Sequence, residues 1–299
     1  MEIRVLRYFL TVVREESITR AAEALHITQP TLSRQLAQME EEMGVKLFDR
    51  GTRRITLTNE GLLLRRRAEE ILNLVDKTEK ELTEQEDAVE GTVSIGCGDL
   101  GAVEILADLL QSFHRRYPAV TFDLYTATAD HVREQMEHGL IDIGLLSEPV
   151  NIEKCDFIRL KRKEKWVVAM HPDSPLAQKE TITPADLKGV PLILPRRLNV
   201  RNEVASWFGD DFDKLNVLFT SNLPANSSIM VSRKMAYAIL IGASISLWDQ
   251  DKITYRPLSP ELTASSVIAW RRQQPFGLAA SKLIAHIRRE LAPSEPVTE

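Results

Sequence analysis

The run Thr28-Gln29-Pro30-Thr31-Leu32-Ser33-Arg34 places short or planar hydrogen-bonding side chains at the start of a helix. That is the chemistry of base-edge recognition. A glutamine amide matches an adenine edge, arginine matches guanine or phosphate, and serine and threonine match either. Thr28 is a good N-cap residue. Pro30 suits the first turn, where a missing N–H costs nothing. Arg53 and Arg54, within RGTRRITL, add cations suited to straddling a phosphate or entering a narrow minor groove. A charge run is ordinarily only a solvated turn; its position after a helix-turn-helix reverses that reading.

A second group with chemical potential is Gly96-Cys97-Gly98-Asp99-Leu100-Gly101, between the apolar run Val93–Ile95 and a helical stretch. It is literally the glycine pattern of dinucleotide sites. Such a site also needs an acid at the end of the second strand. Here Asp123 lies mid-strand, and Tyr125-Thr126 end it. The loop is therefore read more modestly. Its glycines let a small ligand approach backbone N–H groups at a helix N-terminus, which favours a carboxylate or other anion. Cys97 in that loop is a candidate redox thiol, or simply a small buried hydrophobe. The histidines show no metal-ligand spacing, and no G-x-S-x-G elbow is present. No catalytic residue, metal or cofactor is expected.

Around the first group the elements are legible. Ala21, Ala22 and Leu25 give one helix a small apolar face that lets a second helix approach closely. His26-Ile27 makes the turn. Leu32, Leu36, Met39 and Met43 recur at helical spacing and should face the core. Glu40, Glu41 and Glu42 fall at the far end, away from DNA, and Gly44 ends the helix. Ahead of these lies an amphipathic helix with Leu6, Phe9 and Val13 inward. Residues 50–57 read as a hairpin with Gly51 in its turn. From Thr58 to about Glu90 a helix carries a seam at Leu64, Ala68, Ile71, Val75, Thr78, Leu82, Gln85 and Val89. A lone helix cannot bury such a stripe, so it implies a partner. Arg65-Arg66-Arg67 read as its solvated face.

Ala21-Ala22, Gln29-Pro30, Ser33-Arg34, Met43-Gly44, Leu47-Phe48-Asp49-Arg50 and Leu57-Thr58 with Gly61 together resemble the signature of LysR-type transcriptional regulators. No single piece is specific, but their order and spacing are. Length and pattern extend the resemblance over essentially the whole chain. It implies a mixed fold: an N-terminal winged helix-turn-helix (1–58), a long linker helix that pairs with its twin (59–90), and a C-terminal two-lobed α/β domain shaped like a periplasmic solute-binding protein (91–299). Lobe I would be 91–160 and 268–292, and lobe II 161–267, with the charge run Lys161–Lys165 at the boundary.

Strand and helix signals alternate through that domain, as a parallel sheet requires. The expected order includes a helix over 227–238, a strand at 239–241, and a closing helix from Gly277 to Leu291. The resemblance places effector contacts at four cleft loops. They are Gly98, Asp99 and Leu100; Thr126 and Thr128; Pro195, Arg196 and Arg197; and Asn226 and Ser227. Arg196 or Arg197 would clamp a carboxylate, and Asp99 would suit an ammonium or hydroxyl. One departure from the family stands in VSRKMAYAIL: the family usually has a glycine-containing turn in this segment, and here Arg233, Lys234 and Met235 replace small residues.

The 299 residues leave ample chain for more than one core. No apolar run approaches the ~20 residues of a membrane helix. The N-terminal apolar stretch is broken by Arg4, Arg7 and Arg14, so it is not a signal peptide. Two cysteines make no disulfide framework. The expected protein is cytoplasmic and non-enzymatic. Its partners are double-stranded DNA, a small-molecule effector (a carboxylate candidate), a second or fourth copy of itself, and RNA polymerase. An oxidoreductase lacks the acid noted above. A solute-binding protein is opposed by the missing leader and the N-terminal DNA-reading unit. The net charge of −5 implies few phosphate contacts per subunit, with affinity drawn from paired subunits. Two recognition helices would enter grooves about 34 Å apart, over an interrupted inverted repeat.

Overall fold

A computed structural model describes residues 2–50, 55–83, 89–245, 248–249, 251–273 and 275–292. The chain divides into two compact units, Met1–Thr83 and Glu84–Glu299.

The first unit opens with α1 (Ile3–Glu15), which buries Val5, Leu6, Phe9 and Val12. Val12, not Val13, is the residue turned fully inward. Glu16 ends the helix in the left-handed region, and the Ser17 side chain accepts from the Arg20 amide to start α2 (Ile18–Ala24). Ala21 and Ala22 are buried, so α3 (Gln29–Met43) packs close. His26, at φ 54°, makes the turn between them. Leu32, Leu36 and Met39 enter the core, but Met43 stays 39% exposed. The inward position near that end is Glu40, 3% exposed, whose carboxylate accepts from the amides of Leu47 and Phe48 and from Lys46 Nζ. Glu40 is thus an internal clasp and not a solvated acid. It fixes the chain where it leaves α3.

Strands β1 (Phe48–Arg50) and β2 (Ile55–Leu57) pair antiparallel, with Phe48 opposite Leu57. The hairpin therefore exists; its tip, with Gly51, Arg53 and Arg54, lies outside the described residues. Thr58 accepts from the Gly61 amide at 3.0 Å and donates to the Lys46 carbonyl at 2.7 Å, capping α4 (Asn59–Thr83). A β-carbon on Gly61 would lie 2.1 Å from the Leu47 carbonyl oxygen, so only glycine lets α4 start here.

The α4 seam is corrected on two counts. Leu64, Ala68 and Leu72 are buried in the unit's own core, beside Phe9 and Leu36. The described helix runs to Thr83, and Glu90 itself is not helical. Gln85 lies outside the described residues, and Val89 packs on the core of the second unit. A heptad count cannot tell an internal neighbour from a second chain.

The second unit is built on one sheet, ordered β4-β3-β5-β11-β6-β9-β7-β8, with β10 beside β6. In lobe I, β3 (Gly91–Cys97), β4 (Val120–Thr126) and β5 (Ile143–Ser147) run parallel. Helices α5 (Val103–Arg116) and α6 (Ala129–Glu137) connect them, and α9 (Leu278–Leu291) covers the α5 side. In lobe II, β7 (Leu192–Pro195), β8 (Val217–Ser221) and β9 (Tyr237–Ile241) repeat the parallel pattern, with α7 (Leu198–Phe208) and α8 (Ala225–Ser232). The antiparallel strands β6 (Cys155–Met170) and β11 (Thr263–Arg271) join the halves, and β10 (Thr254–Pro257) flanks β6.

The charge run Lys161–Lys165 lies inside β6 and is no loop. Thr263 pairs with Lys165 and Ser265 with Lys163. The strand exchanges β11 for β9 between Lys165 and Trp166. Lys161, Arg162, Lys163 and Lys165 are exposed, as suits a connecting strand, while Glu164 is buried. The helix expected over 227–238 also ends early. Arg233 is the C-cap of α8, and Lys234 turns left-handed at φ 59°. Tyr237 already belongs to β9.

Candidate functional site

At the start of α3, Thr28, Gln29, Pro30 and Arg34 are exposed, while Thr31 and Ser33 are half-buried. Thr28 stands at the N-cap position but makes no capping bond; its Oγ1 lies 2.8 Å from Thr31 Oγ1 instead. Gln29 Nε2 donates to Ser33 Oγ at 2.9 Å. That bond uses one amide hydrogen, leaving the other and the Oε1 acceptor for an external partner. Arg65 and Arg67 pair with Glu69 and Glu70 along α4, as a solvated face does. The α3 N-terminus therefore offers donors and acceptors in a fixed local arrangement with no acidic residue in its first turn.

The second constellation lies where strands of the two lobes end. A cavity of about 120 Å³ opens there, lined by Gly98, Asp99, Leu100, Thr128, Pro195 and Ser227 among the expected residues. Thr126, Arg196 and Asn226 are exposed and lie outside its lining. Residues that composition and spacing did not single out also line it: Ser147, Trp166, Ser221, Asn222 and Ser244. Ser147 and Ser221 end β5 and β8. The rule that ligands sit beyond the carboxyl ends of parallel strands would have found them.

Arg197 crosses between lobes. Its side chain is 9% exposed. Nε donates to Asp130 Oδ2 at 2.6 Å and Nη2 to Oδ1 at 3.1 Å. Nη1 reaches the Ser147 carbonyl at 3.0 Å, and Nη2 also reaches that of Pro149. A planar guanidinium suits such a fork. The amides of Gly101 and Ala102, at the start of α5, donate to the buried carboxylate of Glu164 at 2.9 and 3.0 Å. The anion position expected at this glycine loop is thus filled from within the chain. A β-carbon on Gly101 would meet Ala243 at 2.4 Å, which accounts for the third glycine by packing.

Burial pushes the Asp99 carboxyl above the usual carboxylate range. Burial, and secondarily Asp99, raise the Cys97 thiol. Burial, with Glu137, raises that of Cys155. Neither cysteine has the lowered pKa of a reactive thiolate. Among the described residues, no cluster of metal-ligating side chains occurs.

Each constellation lies in a part of the chain that matches a known family description. The family description "Bacterial regulatory helix-turn-helix protein, lysR family" matches residues 3–62, and "LysR substrate binding domain" matches residues 86–292. The HTH-type transcriptional regulator BsdA of Bacillus subtilis is 34% identical over 223 residues, 73% of this chain and 74% of that one. The Hca operon transcriptional activator HcaR of Escherichia coli is 27% identical over 98% of this chain and 99% of its own. The crystal structure of CbnR, a LysR family transcriptional regulator, superposes with a TM-score of 0.74 at 23% identity, covering 98% and 100% of the two chains.

Proposed function

The chain belongs to the LysR family of bacterial transcriptional regulators, and from that membership we propose which residues read DNA and which hold the effector. It is a DNA-binding regulator with a helix-turn-helix at its N-terminus and an effector-binding domain of two α/β lobes. The division of labour we propose gives residues 1–58 to DNA, 59–90 to chain pairing and 91–299 to the ligand.

In this reading Gln29, Ser33 and Arg34 meet base edges. Thr28, Pro30 and Thr31 set the helix end against the backbone. Arg53 and Arg54 contact phosphate or minor groove. The observation that carries it is exposed Gln29 bonded to half-buried Ser33 at the N-terminus of α3. The effector occupies the cleft cavity against Gly98, Asp99, Leu100, Thr128, Pro195 and Ser227. Arg197 replaces Arg196 as the arginine that governs it, because Arg197 lines the cavity and Arg196 does not. Binding shifts lobe closure and with it the spacing of paired DNA-binding units. RNA polymerase contact follows from the regulator's role. The site of action is the cytoplasm, where its DNA is.

Gel shifts with the DNA upstream of its own gene, over a salt series, test the assignment. Gln29→Ala should cost about 1–3 kcal/mol and relax preference at one base pair per half-site. Arg53→Ala should weaken all sequences alike and lower the salt slope by about one per subunit. An exchange of those two phenotypes would refute the docking. Thr128→Ala should leave operator binding intact and remove the effector response.

A further inference from the structure

Both cationic features at the cleft are already matched by acids of the chain itself. The Arg197 guanidinium is engaged by Asp130 and two carbonyls. Glu203 lies near enough for Arg197 to stabilise its carboxylate against burial. The α5 N-terminal amides are occupied by Glu164. Asp99 differs: it lines the cavity, is half-buried, and among the described residues no hydrogen bond or ion pair offsets its burial. The remaining wall is largely apolar, with Leu100, Trp166, Ile193, Leu223 and Ile239. At about 120 Å³ the space is close to the ~150 Å³ of cavities that hold a benzene ring.

A carboxylate entering this cavity meets an unpaired like charge and, among the described lining residues, no free cation. Two carboxylates in one site cannot both ionise cheaply. An ammonium does the reverse: it offsets the desolvation of Asp99 while its apolar body covers the wall. Resting on the effector reading above, we propose that the cleft selects a compact amine, its ammonium on Asp99 and its body against Leu100, Trp166, Ile193 and Ile239, and rejects the corresponding carboxylate. This reverses the ligand charge that the glycine loop and the arginine pair suggest in sequence.

Three probes with one body test it: benzylamine, benzyl alcohol and benzoate. Each is titrated into the full-length protein with tryptophan fluorescence as readout. Trp166→Phe establishes that the signal arises at the cleft, since Trp166 lines it. Benzylamine should bind at least ~10-fold tighter than benzoate. Asp99→Asn should weaken benzylamine ~10-fold or more and leave benzyl alcohol nearly unchanged. Asp99→Lys should invert the order in favour of benzoate, a gain that a misfolded variant cannot imitate. Tighter benzoate binding to the wild type, with a Trp166-dependent signal, overturns the charge inference and leaves the effector cleft standing. Benzylamine affinity indifferent to both Asp99 variants overturns it too. Silence from all three probes also overturns it, and the Thr128→Ala operator experiment then judges the cleft alone.

Discussion

At Glu40 a carboxylate is held 3% exposed inside the DNA-binding unit. Burial alone would push it up. Hydrogen bonds from Leu47, Lys46 and Phe48 outweigh that and hold it below the ordinary glutamate range. A carboxyl whose folded pKa is depressed stabilises above its unfolded pKa, and that contribution is lost as pH falls through the folded value. Glu40→Gln should therefore cost about 1–3 kcal/mol at neutral pH. The difference from wild type should narrow below about pH 4. Hydrogen exchange at the Leu47 and Phe48 amides, over a pH series, measures it. Lys234 presents a different residue-scale effect. It adopts φ 59° without being glycine, and its Nζ meets Asp173 at 2.7 Å on the surface. Exposed pairs contribute little, whereas a left-handed non-glycine costs of order 1 kcal/mol. Lys234→Gly should thus raise stability by about 0.5–1 kcal/mol in denaturant titration. A loss of stability would show that the ion pair matters more than the backbone.

Among elements, α4 serves its own unit first. Leu64, Ala68 and Leu72 close the core under α1 and α3. What remains for a second copy, among the described residues, is exposed Leu62, Leu63 and Leu74, beside half-buried Ile71 and Val75. Leu74→Lys with Val75→Lys places charge where two helices would meet, and burying unpaired charge is costly. Sedimentation should show the paired species shifted to smaller mass while the unit stays folded. An unchanged distribution would move pairing elsewhere. Lobe edges are the alternative: β4 exposes Leu124 and Tyr125, and β8 exposes Val217 and Leu218. Unpaired strand edges with apolar residues are poor candidates for permanent exposure to water.

For the ligand domain as a whole, Arg197 is one of the contacts that tie lobe II to lobe I. It joins the start of α7 to Asp130 on α6 and to the carbonyls after β5. A hydrogen bond to a charged group contributes about 1.5–3 kcal/mol. Arg197→Ala should therefore increase opening of the cleft roughly tenfold or more, read as faster amide exchange in the loops after β5 and β7. Operator affinity in the absence of effector should change with it. Equal exchange in both proteins would make Arg197 a local clasp without control over closure.

Much of this was legible from residues alone. The recognition helix, its turn and the hairpin follow from small apolar faces, caps and turn residues, because those choices act over a few neighbours. That Gln29 and Arg34 stand at the exposed start of a helix was legible since such a start needs no distant contact to be understood. Other features depend on what the chain brings together from far apart. Glu40 reads only as one of three acids at the far end of the helix until Leu47 and Phe48 fold onto it. Glu164 belonged to an apparent boundary run until β6 carried it to the amides of Gly101 and Ala102. Arg196 and Arg197 are indistinguishable as sequence; strand and helix geometry turns one to water and the other onto Asp130. Local pattern fixes which elements form, since propensity and periodicity are short-range. Which charges are satisfied, and so what ligand the cleft can hold, is a property of long-range contacts that only the tertiary structure decides.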